Sequence, residues 1–416
     1  MLSFLKRLIP ARFLPRLWYH RIKGAHYAKK YGHPARNMIV IGVTGTDGKT
    51  TTASMIYHVL KSQGIHAGML TTTHFAWGNH HEVNETHKTS LSPGQLNSYL
   101  KKMEKEGITH LVLEVSSHAL DQGRLAGIPI HTGVVTNLSH EHLDYHKTME
   151  HYRDTKGKLI KKAQNIVVAG DDPFLAPLYS HRNNVITFGK MNTNHITIGK
   201  TETIATGIRT FFTIADQSLP CELKVFGDHN MLNAAACLGA CIHLGLDPSK
   251  ILEGLKDFPG VAGRMEKVDI GKPITVLVDY TVTPQAFQTL FKTARNIDTG
   301  KLIAVFGSCG DRDQAKRPII GKLASELCDV VIITDEEPYF EDPDSIRQMI
   351  AAGIPLDSKA TVYQIANRRA GIKKALEIAQ PHDIITVCGM GNQTSMVIKD
   401  KHIPWSDRDV IKELAS

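Results

Sequence analysis

The chain has 416 residues, enough for two or three domains with buried cores. With 42% hydrophobic, 22% charged and 6% aromatic residues it has an ordinary globular composition. Its six cysteines form no C-x-x-C pair, which argues against a disulfide framework or a structural zinc and for a reducing cytoplasm. The net charge of +8 sits at one end: residues 1–36 hold nine cations (Lys6, Arg7, Arg12, Arg16, Arg21, Lys23, Lys29, Lys30, Arg36) and no acid, leaving the other 380 residues at about −1. A near-neutral globule with a basic leader is not a general nucleic-acid binder.

In chain order, the leader mixes apolar residues (Leu2, Phe4, Leu5, Leu8, Ile9, Phe13, Leu14, Leu17, Trp18) with those cations. It has neither the uninterrupted apolar core nor the A-x-A site of a signal peptide, and Pro10 and Pro15 oppose one continuous spanning helix. Two readings stand level: an arm on an anionic membrane surface at the inner face of the membrane, or an amphipathic arm packed on its own domain or a partner. From residue 38 onward apolar runs alternate with helical patterns. Strands are expected at MIVIGV (38–43), HLVLEV (110–115), TGVVTNL (132–138) and NIVVAG (165–170), and helices at 49–64, 93–106 and 149–163. Continuous apolar strands in βαβ order suit a mostly parallel sheet covered on both faces. Residues 184–226 (NVITFG, IRTFFTI, CELKVFG) read as an antiparallel patch, followed by helices at 231–244 and 248–255. A glycine-rich hinge is expected near 258–270. Beyond it the βα alternation restarts with ITVLVDY, KLIAVFGS, DVVIITD and DIITVCG.

After the first strand comes TGTDGKTTT (44–52). Strand, glycine-rich turn, Lys-Thr and helix is the arrangement that presents backbone N–H groups and a helix N-terminus to phosphates. On this reading Gly45, Thr46, Asp47, Gly48 and Thr51 form the cradle, Lys49 reaches the β/γ-phosphates, and the Thr50 hydroxyl ligates magnesium. The spacing is not the common Walker form, and the alternative without function is a tight turn capped by threonines. Two later stretches, EVSSHALDQGR (114–124) and TNLSHEHLDYHKTMEHYRDTK (136–156), put acids and imidazoles just past strand carboxyl ends, where ligands bind in open α/β sheets. Taken alone, HEHLDYH reads more simply as a solvated histidine cluster.

Together with GDHNMLNAAA (227–236), GRME (263–266), VDYTVTP, GDRDQAKRP (310–318) and IPWSDRD (403–409), these stretches occur in the order of the Mur ligases. Residues 38–416 resemble that family, nearest to the MurE-type UDP-N-acetylmuramyl-tripeptide synthetases. The resemblance implies a central P-loop ATPase domain (37–262) with a mostly parallel sheet and a Rossmann-like α/β C-terminal domain (263–416) behind the leader (1–36). It implies a cytoplasmic, ATP- and Mg2+-dependent ligase that phosphorylates a peptide carboxylate and joins it to an amino acid amine. By resemblance Lys49 and Thr50 hold phosphate and magnesium. Glu114 and His142 hold magnesium, as does Lys156 in carbamylated form. Asn230 contacts adenine, and Arg264 and Asp279 contact the nucleotide. Thr89, Ser90, Ser116 and Arg124 bind a muramyl-peptide-like acceptor, and Arg312 binds the incoming amino acid. Without the resemblance Lys156 reads as a solvated helix lysine, and the acceptor residues as caps or surface residues.

Four departures shape the expectation. The family's uridine-binding domain does not appear, which puts a UDP-linked acceptor in question. VDYAHTP has become VDYTVTP, with Val282 in place of histidine. The D-N-P-R motif that reads diaminopimelate is Asp335-Glu336-Glu337-Pro338-Tyr339, its arginine replaced by Tyr339. G-K-G-H-E is Gly389-Met390-Gly391-Asn392-Gln393, its glutamate replaced by Gln393. Glu337 would suit a cationic or neutral amino acid. The expected enzyme is therefore a MurE-like amide ligase whose amine donor is not diaminopimelate. A folylpolyglutamate- or cyanophycin-synthetase-like ligase, or a nucleotide-binding scaffold that has lost its activity, are the alternatives. Nothing in the sequence sets the oligomeric state.

Overall fold

The computed structural model describes residues 14–416 apart from 87, 140 and 205. Leu2, Phe4, Leu5, Lys6, Arg7, Leu8, Ile9, Arg12 and Phe13 of the leader lie outside the described residues. The chain divides into two compact units, one of residues 1–224 with 228–258, the other of 225–227 with 259–416. The expected boundary at 262/263 lies four residues beyond this one.

The first unit opens with helix α1 (Leu14–Lys30), whose Pro15 stands in the first turn, where a missing N–H is tolerated. Then come β1 (Ile39–Thr44), α2 (Lys49–Ser62) and three short strands, β2 (Ala67–Leu70), β3 (His74–Trp77) and β4 (His80–Val83). Next are α3 (Pro93–Lys105), β5 (His110–Glu114), α4 (Ser117–Asp121), β6 (Ile130–Val135), α5 (Leu143–His146), α6 (Met149–Lys162), β7 (Ala163–Ala169) and β8 (Val185–Gly189). The unit closes with β9 (Ile196–Ile198), β10 (Glu202–Ile204), β11 (Gly207–Ile214), β12 (Gln217–Leu223), α7 (His229–Ile242) and α8 (Pro248–Lys256). Strand order in the main sheet is β10-β11-β9-β8-β7-β6-β1-β5-β2-β3-β4, with β12 paired to β11.

β1 lies between β5 and β6 and is parallel to both. Five of its six residues are buried, which explains why it reads as an unbroken apolar run. The expectation for 184–226 needs one correction. β8 pairs parallel with β7 and with β9, extending the main sheet, and the antiparallel ladder begins only at β9–β11. VITFG is mostly apolar, with only Thr187 polar, and so carries no signal of pairing direction. The hairpin strands β2–β4 were not anticipated, because each has only four residues and HFAW followed by HHEV shows no clean alternation.

The second unit contains β13 (Glu266–Val268), β14 (Thr275–Asp279), α9 (Pro284–Arg295), β15 (Leu302–Phe306), α10 (Lys316–Leu327), β16 (Val330–Ile333) and α11 (Pro343–Ala351). It ends with β17 (Thr361–Gln364), α12 (Arg368–Ile378), β18 (Ile384–Cys388), β19 (Ser395–Ile398), β20 (Lys401–Pro404) and α13 (Asp407–Ala415). Its sheet runs β13-β14-β18-β15-β16-β17, parallel except for β13. Part of the expected hinge, residues 266–268, is thus strand. Two apolar layers cover the sheet, one built on Phe287, Phe291 and Phe306, the other on Ile303, Ile332 and Ile385. The six cysteines are free thiols.

Arg368 and Asp407 form a fully buried bidentate pair (2.8 and 2.6 Å), with the Asp407 carboxylate also accepting from Trp405 Nε1 and Arg368 donating to the Cys388 carbonyl. Removing one partner strands a charge in the interior. Arg368→Ala should lower the unfolding free energy of the second unit by about 3–5 kcal/mol. Breaking the exposed Arg369–Glu413 pair should cost less than about 1 kcal/mol. Urea denaturation of both variants checks this; equal losses would contradict it.

Candidate active site

The loop Gly45–Gly48 leaves the carboxyl end of β1 and enters α2. Gly45 (φ 153°) and Gly48 (φ 77°) adopt conformations that side chains disfavour. Space forbids them as well. A Cβ on Gly45 would come 1.8 Å from Thr136 Oγ1, and one on Gly48 would come 2.2 Å from Asn233 Oδ1. The loop is tied from behind to the end of β6. Asn137 Oδ1 accepts from the N–H groups of Thr46 and Asp47 (3.1 and 2.9 Å), while Thr136 Oγ1 and Asn137 Nδ2 donate to the Asp47 carbonyl. Helix α2 has no side-chain cap at its N-terminus. Its first-turn N–H groups therefore keep the anion-binding character of an open helix end.

Lys49 folds over the loop and donates to the Thr46 carbonyl at 2.7 Å. Thr50 is buried and donates to Glu114 Oε2 at 2.9 Å; the same oxygen accepts from Thr72 N. The first turn of α2 and the end of β5 thus deliver a hydroxyl and a carboxylate to one point. Both are hard oxygen donors of the kind magnesium takes. Thr51 is half-buried in the same turn.

Lys156 lies on α6, only 1% exposed, and donates from Nζ to the Gly45 carbonyl at 2.6 Å. Its Nζ also stands 4.4 Å from the centre of the Tyr152 ring. Burial first, and the nearby Lys49 charge second, hold its pKa well below the usual lysine value, against the opposing pull of Glu141 and Asp47. His142 adopts a left-handed backbone (φ 55°) and is exposed; its ring faces those of His118 (5.1 Å) and Tyr152 (6.2 Å), and Nε2 lies 3.7 Å from Glu141. Tyr152 therefore stands amid Thr46, His142 and Lys156. Behind it His146 is buried, with Nε2 at 3.0 Å from Ser117 Oγ. Burial and the neighbouring imidazoles push it down to about 3, so it is neutral. Among the described residues, no three His, Cys, Asp or Glu side chains converge into a complete metal site. Thr50 and Glu114 are a partial donor set that phosphate and water oxygens would complete.

Thr89, Ser90 and Arg124 line a pocket with Leu70, Phe75, Leu96, Leu113, Glu114 and Leu125. Ser90 Oγ accepts from Ser116 N, Arg124 Nη1 donates to the Ser90 carbonyl, and Ser116 caps α4. Three of the four residues assigned to the acceptor thus line one pocket, and the fourth braces it. Asn230 accepts from Asn233 (3.0 Å), which in turn accepts from Thr52 beneath the loop.

In the second unit, Asp279 uses both oxygens locally, accepting from Met265 N (2.7 Å) and from the Thr281 hydroxyl. Arg264 lies over the Tyr280 ring. Glu337 is buried and accepts from Val397 N (3.2 Å) and Gln393 Nε2 (3.3 Å), and Arg312 lies over the Tyr339 ring (5.5 Å). The residues assigned to the amine therefore fall into two contacting pairs, Glu337 with Gln393 and Arg312 with Tyr339. Beside them burial pushes the Glu336 carboxyl up to about 7, despite Arg368 and Lys316, with Glu337 adding to the rise. Sequence reasoning passed over Asn137, Thr136, Tyr152 and Asn233. Three of these stand inside the quoted TNLSHEHLDYHKTMEHYRDTK stretch, but what marks them is their hydrogen bonding, which spacing does not reveal.

Two family models match the chain: the Mur ligase middle domain over residues 43–241 and the Mur ligase, glutamate ligase domain over residues 263–391. Among curated proteins, the chain is 36% identical over 387 residues to a UDP-N-acetylmuramoyl-L-alanyl-D-glutamate–2,6-diaminopimelate ligase of Clostridium botulinum, covering 92% of this chain and 79% of that one. It is likewise 36% identical over 401 residues to a UDP-N-acetylmuramyl-tripeptide synthetase of Roseiflexus sp., covering 91% and 78%. A solved diaminopimelate ligase of the same description superposes with TM-score 0.68 at 29% identity, covering 95% of this chain and 82% of that one. A Mycobacterium tuberculosis folylpolyglutamate synthase complexed with ADP superposes with TM-score 0.72 at 17% identity, covering 88% and 91%, a likeness of fold alone.

A raised folded-state pKa means that Glu336 holds a proton in the folded chain which the unfolded chain releases. Its contribution is present below about pH 4.5 and is lost as pH rises to about 7. Relative to Glu336→Gln, the wild type should lose about 3 kcal/mol across that window and stay level above it. Denaturation of both proteins at a series of pH values checks this; a difference independent of pH would contradict it.

Proposed function

This chain belongs to the Mur ligase family of ATP-dependent, ADP-forming acid–amino-acid ligases, and we propose that it activates the carboxylate of a muramyl-peptide-like acceptor as an acyl phosphate for attack by an amino acid amine. The observation that carries the reading is the loop Gly45–Gly48. It is a cradle where neither glycine can bear a side chain, leading into an uncapped helix end, with Lys49 above it and Thr50 bonded to Glu114.

In this reading Gly45, Thr46, Asp47, Gly48, Lys49 and Thr51 hold the ATP phosphates, and Asn230 the adenine. Lys49 moves from the Thr46 carbonyl to the phosphate oxygens. Thr50 and Glu114, with His142, would hold magnesium, which supplies positive charge against the transferring phosphoryl group. The acceptor carboxylate lies in the pocket of Thr89, Ser90 and Arg124. Phosphate replaces a carboxylate oxygen as the leaving group, so the amine nitrogen forms the new C–N bond as the C–O bond to phosphate breaks. In the second unit Arg264 and Asp279 are assigned to the nucleotide, and Arg312, Glu337 and Gln393 to the amine. The enzyme acts in the cytoplasm, and the basic amino-terminal segment serves a surface rather than the chemistry.

Lys156 fits carbamylation. An amine kept neutral by burial is the nucleophile that CO2 requires; it forms an N–C bond and releases a proton, and the product is a carboxylate-like ligand. Lys156→Met keeps the apolar stem without adding a buried charge and cannot form the carbamate, so its turnover should fall at least a hundredfold with melting temperature and nucleotide binding little changed. Turnover within a few-fold of wild type would remove the carbamate from the mechanism.

The amine donor is proposed to differ from the diaminopimelate named for several relatives, because Tyr339 stands where the diaminopimelate-reading motif is expected to carry arginine. Losing a charged hydrogen bond of about 1.5–3 kcal/mol weakens selectivity about ten- to a hundredfold. ADP release should be measured across the amino acids with muramyl-peptide acceptors, with and without UDP, with Lys49→Ala as the inactive control. A single best amine other than diaminopimelate is expected. Diaminopimelate as the best donor would overturn the pocket reading, and amine-independent ADP release would overturn the ligase reading.

A further inference from the structure

Helix α1 has two faces. Inward, Gly24 seats against Gly123 and Ala126, Tyr27 against Gly94, and Ala28 against Gly127. That much matches an arm packed on its own domain. Outward, Trp18, Tyr19 and Ile22 are 69%, 59% and 48% exposed. Trp18, Ile22, Ala25 and Lys29 follow at spacings of four, three and four, so they form one stripe along the helix. Arg21 and Lys30 are exposed on its two flanks, and α1 contains no acid. Lys162 of α6 lies close enough to Arg21 for the two charges to repel, which extends the basic patch onto the body.

We propose that this outer face of α1 rests on an anionic lipid bilayer, with the helix lying in the plane of the interface. An aromatic and aliphatic stripe edged with cations is what the headgroup boundary accepts: rings and Ile22 reach the acyl edge while lysine and arginine meet the phosphates. A second copy of the chain would set Arg21, Lys29 and Lys30 against their own kind, and the apolar centre of the face has nothing to offer a nucleic-acid backbone. No helix among the described residues is long and apolar enough to cross the membrane, which agrees with a surface position. The docking also has a consequence for the site. α1 sits on the Gly123–Gly127 loop, whose Arg124 and Leu125 line the acceptor pocket. A bilayer under α1 therefore holds that pocket close to an acceptor carried by lipid. The proposal rests on the surface role assigned above to the amino-terminal segment and stands whether or not the ligase reading does.

The test uses the full chain and sucrose-loaded vesicles of phosphatidylcholine with 30% phosphatidylglycerol, or of phosphatidylcholine alone, without nucleotide. The wild type sediments with the anionic vesicles. Trp18→Ser with Ile22→Ser lowers the partition coefficient at least tenfold. Arg21→Gln with Lys29→Gln and Lys30→Gln removes the preference for phosphatidylglycerol, a loss of about fivefold per charge. Both variants keep the wild-type melting temperature and ATP binding, so a failed vesicle result leaves the ligase reading untouched, and the reverse. Should a variant fail to fold, brominated lipids should still quench the tryptophan emission of the unaltered protein. The proposal is overturned by wild type left in the supernatant, by variants that sediment like wild type, by unquenched emission, or by a wild-type dimer that the Trp18/Ile22 pair splits while no vesicle binding occurs.

Discussion

The candidate site depends on one backbone constraint: between β1 and α2 the chain must turn within four residues, with nothing on Cα at positions 45 and 48. Every neighbouring element is placed by that turn. The end of β6 supplies Thr136 and Asn137, which hold the back of the loop. The end of β5 supplies Glu114 to meet Thr50. Helix α6 returns across the sheet to set Lys156 on the Gly45 carbonyl, and α7 brings Asn233 under Gly48. All of these contacts gather at the carboxyl ends of parallel strands, the edge where open α/β sheets bind ligands.

That edge also concentrates charge in a way that burial makes expensive. Lys156 is buried beside a second lysine, and the interior favours its neutral form. A neutral amine 2.6 Å from a carbonyl oxygen is well satisfied but serves no purpose of its own in phosphate chemistry. Converted to a carbamate, the same position would present oxygens to the same cleft. The second unit shows the same economy with opposite sign. Glu336 and Glu337 are buried side by side, one of them pushed towards neutrality, next to Tyr339, where the resemblance leads one to expect an arginine. Those two carboxyls, with Arg312 stacked on Tyr339, are the physical content of the claim that the amine differs.

Much of this was legible in the sequence, for identifiable reasons. The βα alternation was legible because β1, β5 and β6 are buried on both faces and therefore almost wholly apolar. The phosphate loop was legible because only glycine fits two of its positions. Glu114 was legible because it ends an apolar strand. The direction of β8 was not, since burial and not pairing selects its residues, and the hairpins β2–β4 were too short to carry a period. Asn137 and Tyr152 were hidden for another reason: their importance lies in which atoms they bond 90 to 106 residues away, as the Asn137–Asp47 and Tyr152–Thr46 contacts show. That α1 packs on its own domain was one of two readings the sequence left open, but which residues do so was hidden, since Gly24, Tyr27 and Ala28 seat against glycines and an alanine far along the chain.

The central claim is that the carboxylate passes through an acyl phosphate. It is tested most directly by following an oxygen atom. The best muramyl-peptide acceptor found, with 18O in its carboxylates, should be incubated with the protein, ATP, magnesium and the best amine found, and the released phosphate examined by mass spectrometry. The account predicts one 18O in each phosphate released with product, because the bond that breaks joins the labelled oxygen to carbon. Product formed with unlabelled phosphate would contradict it.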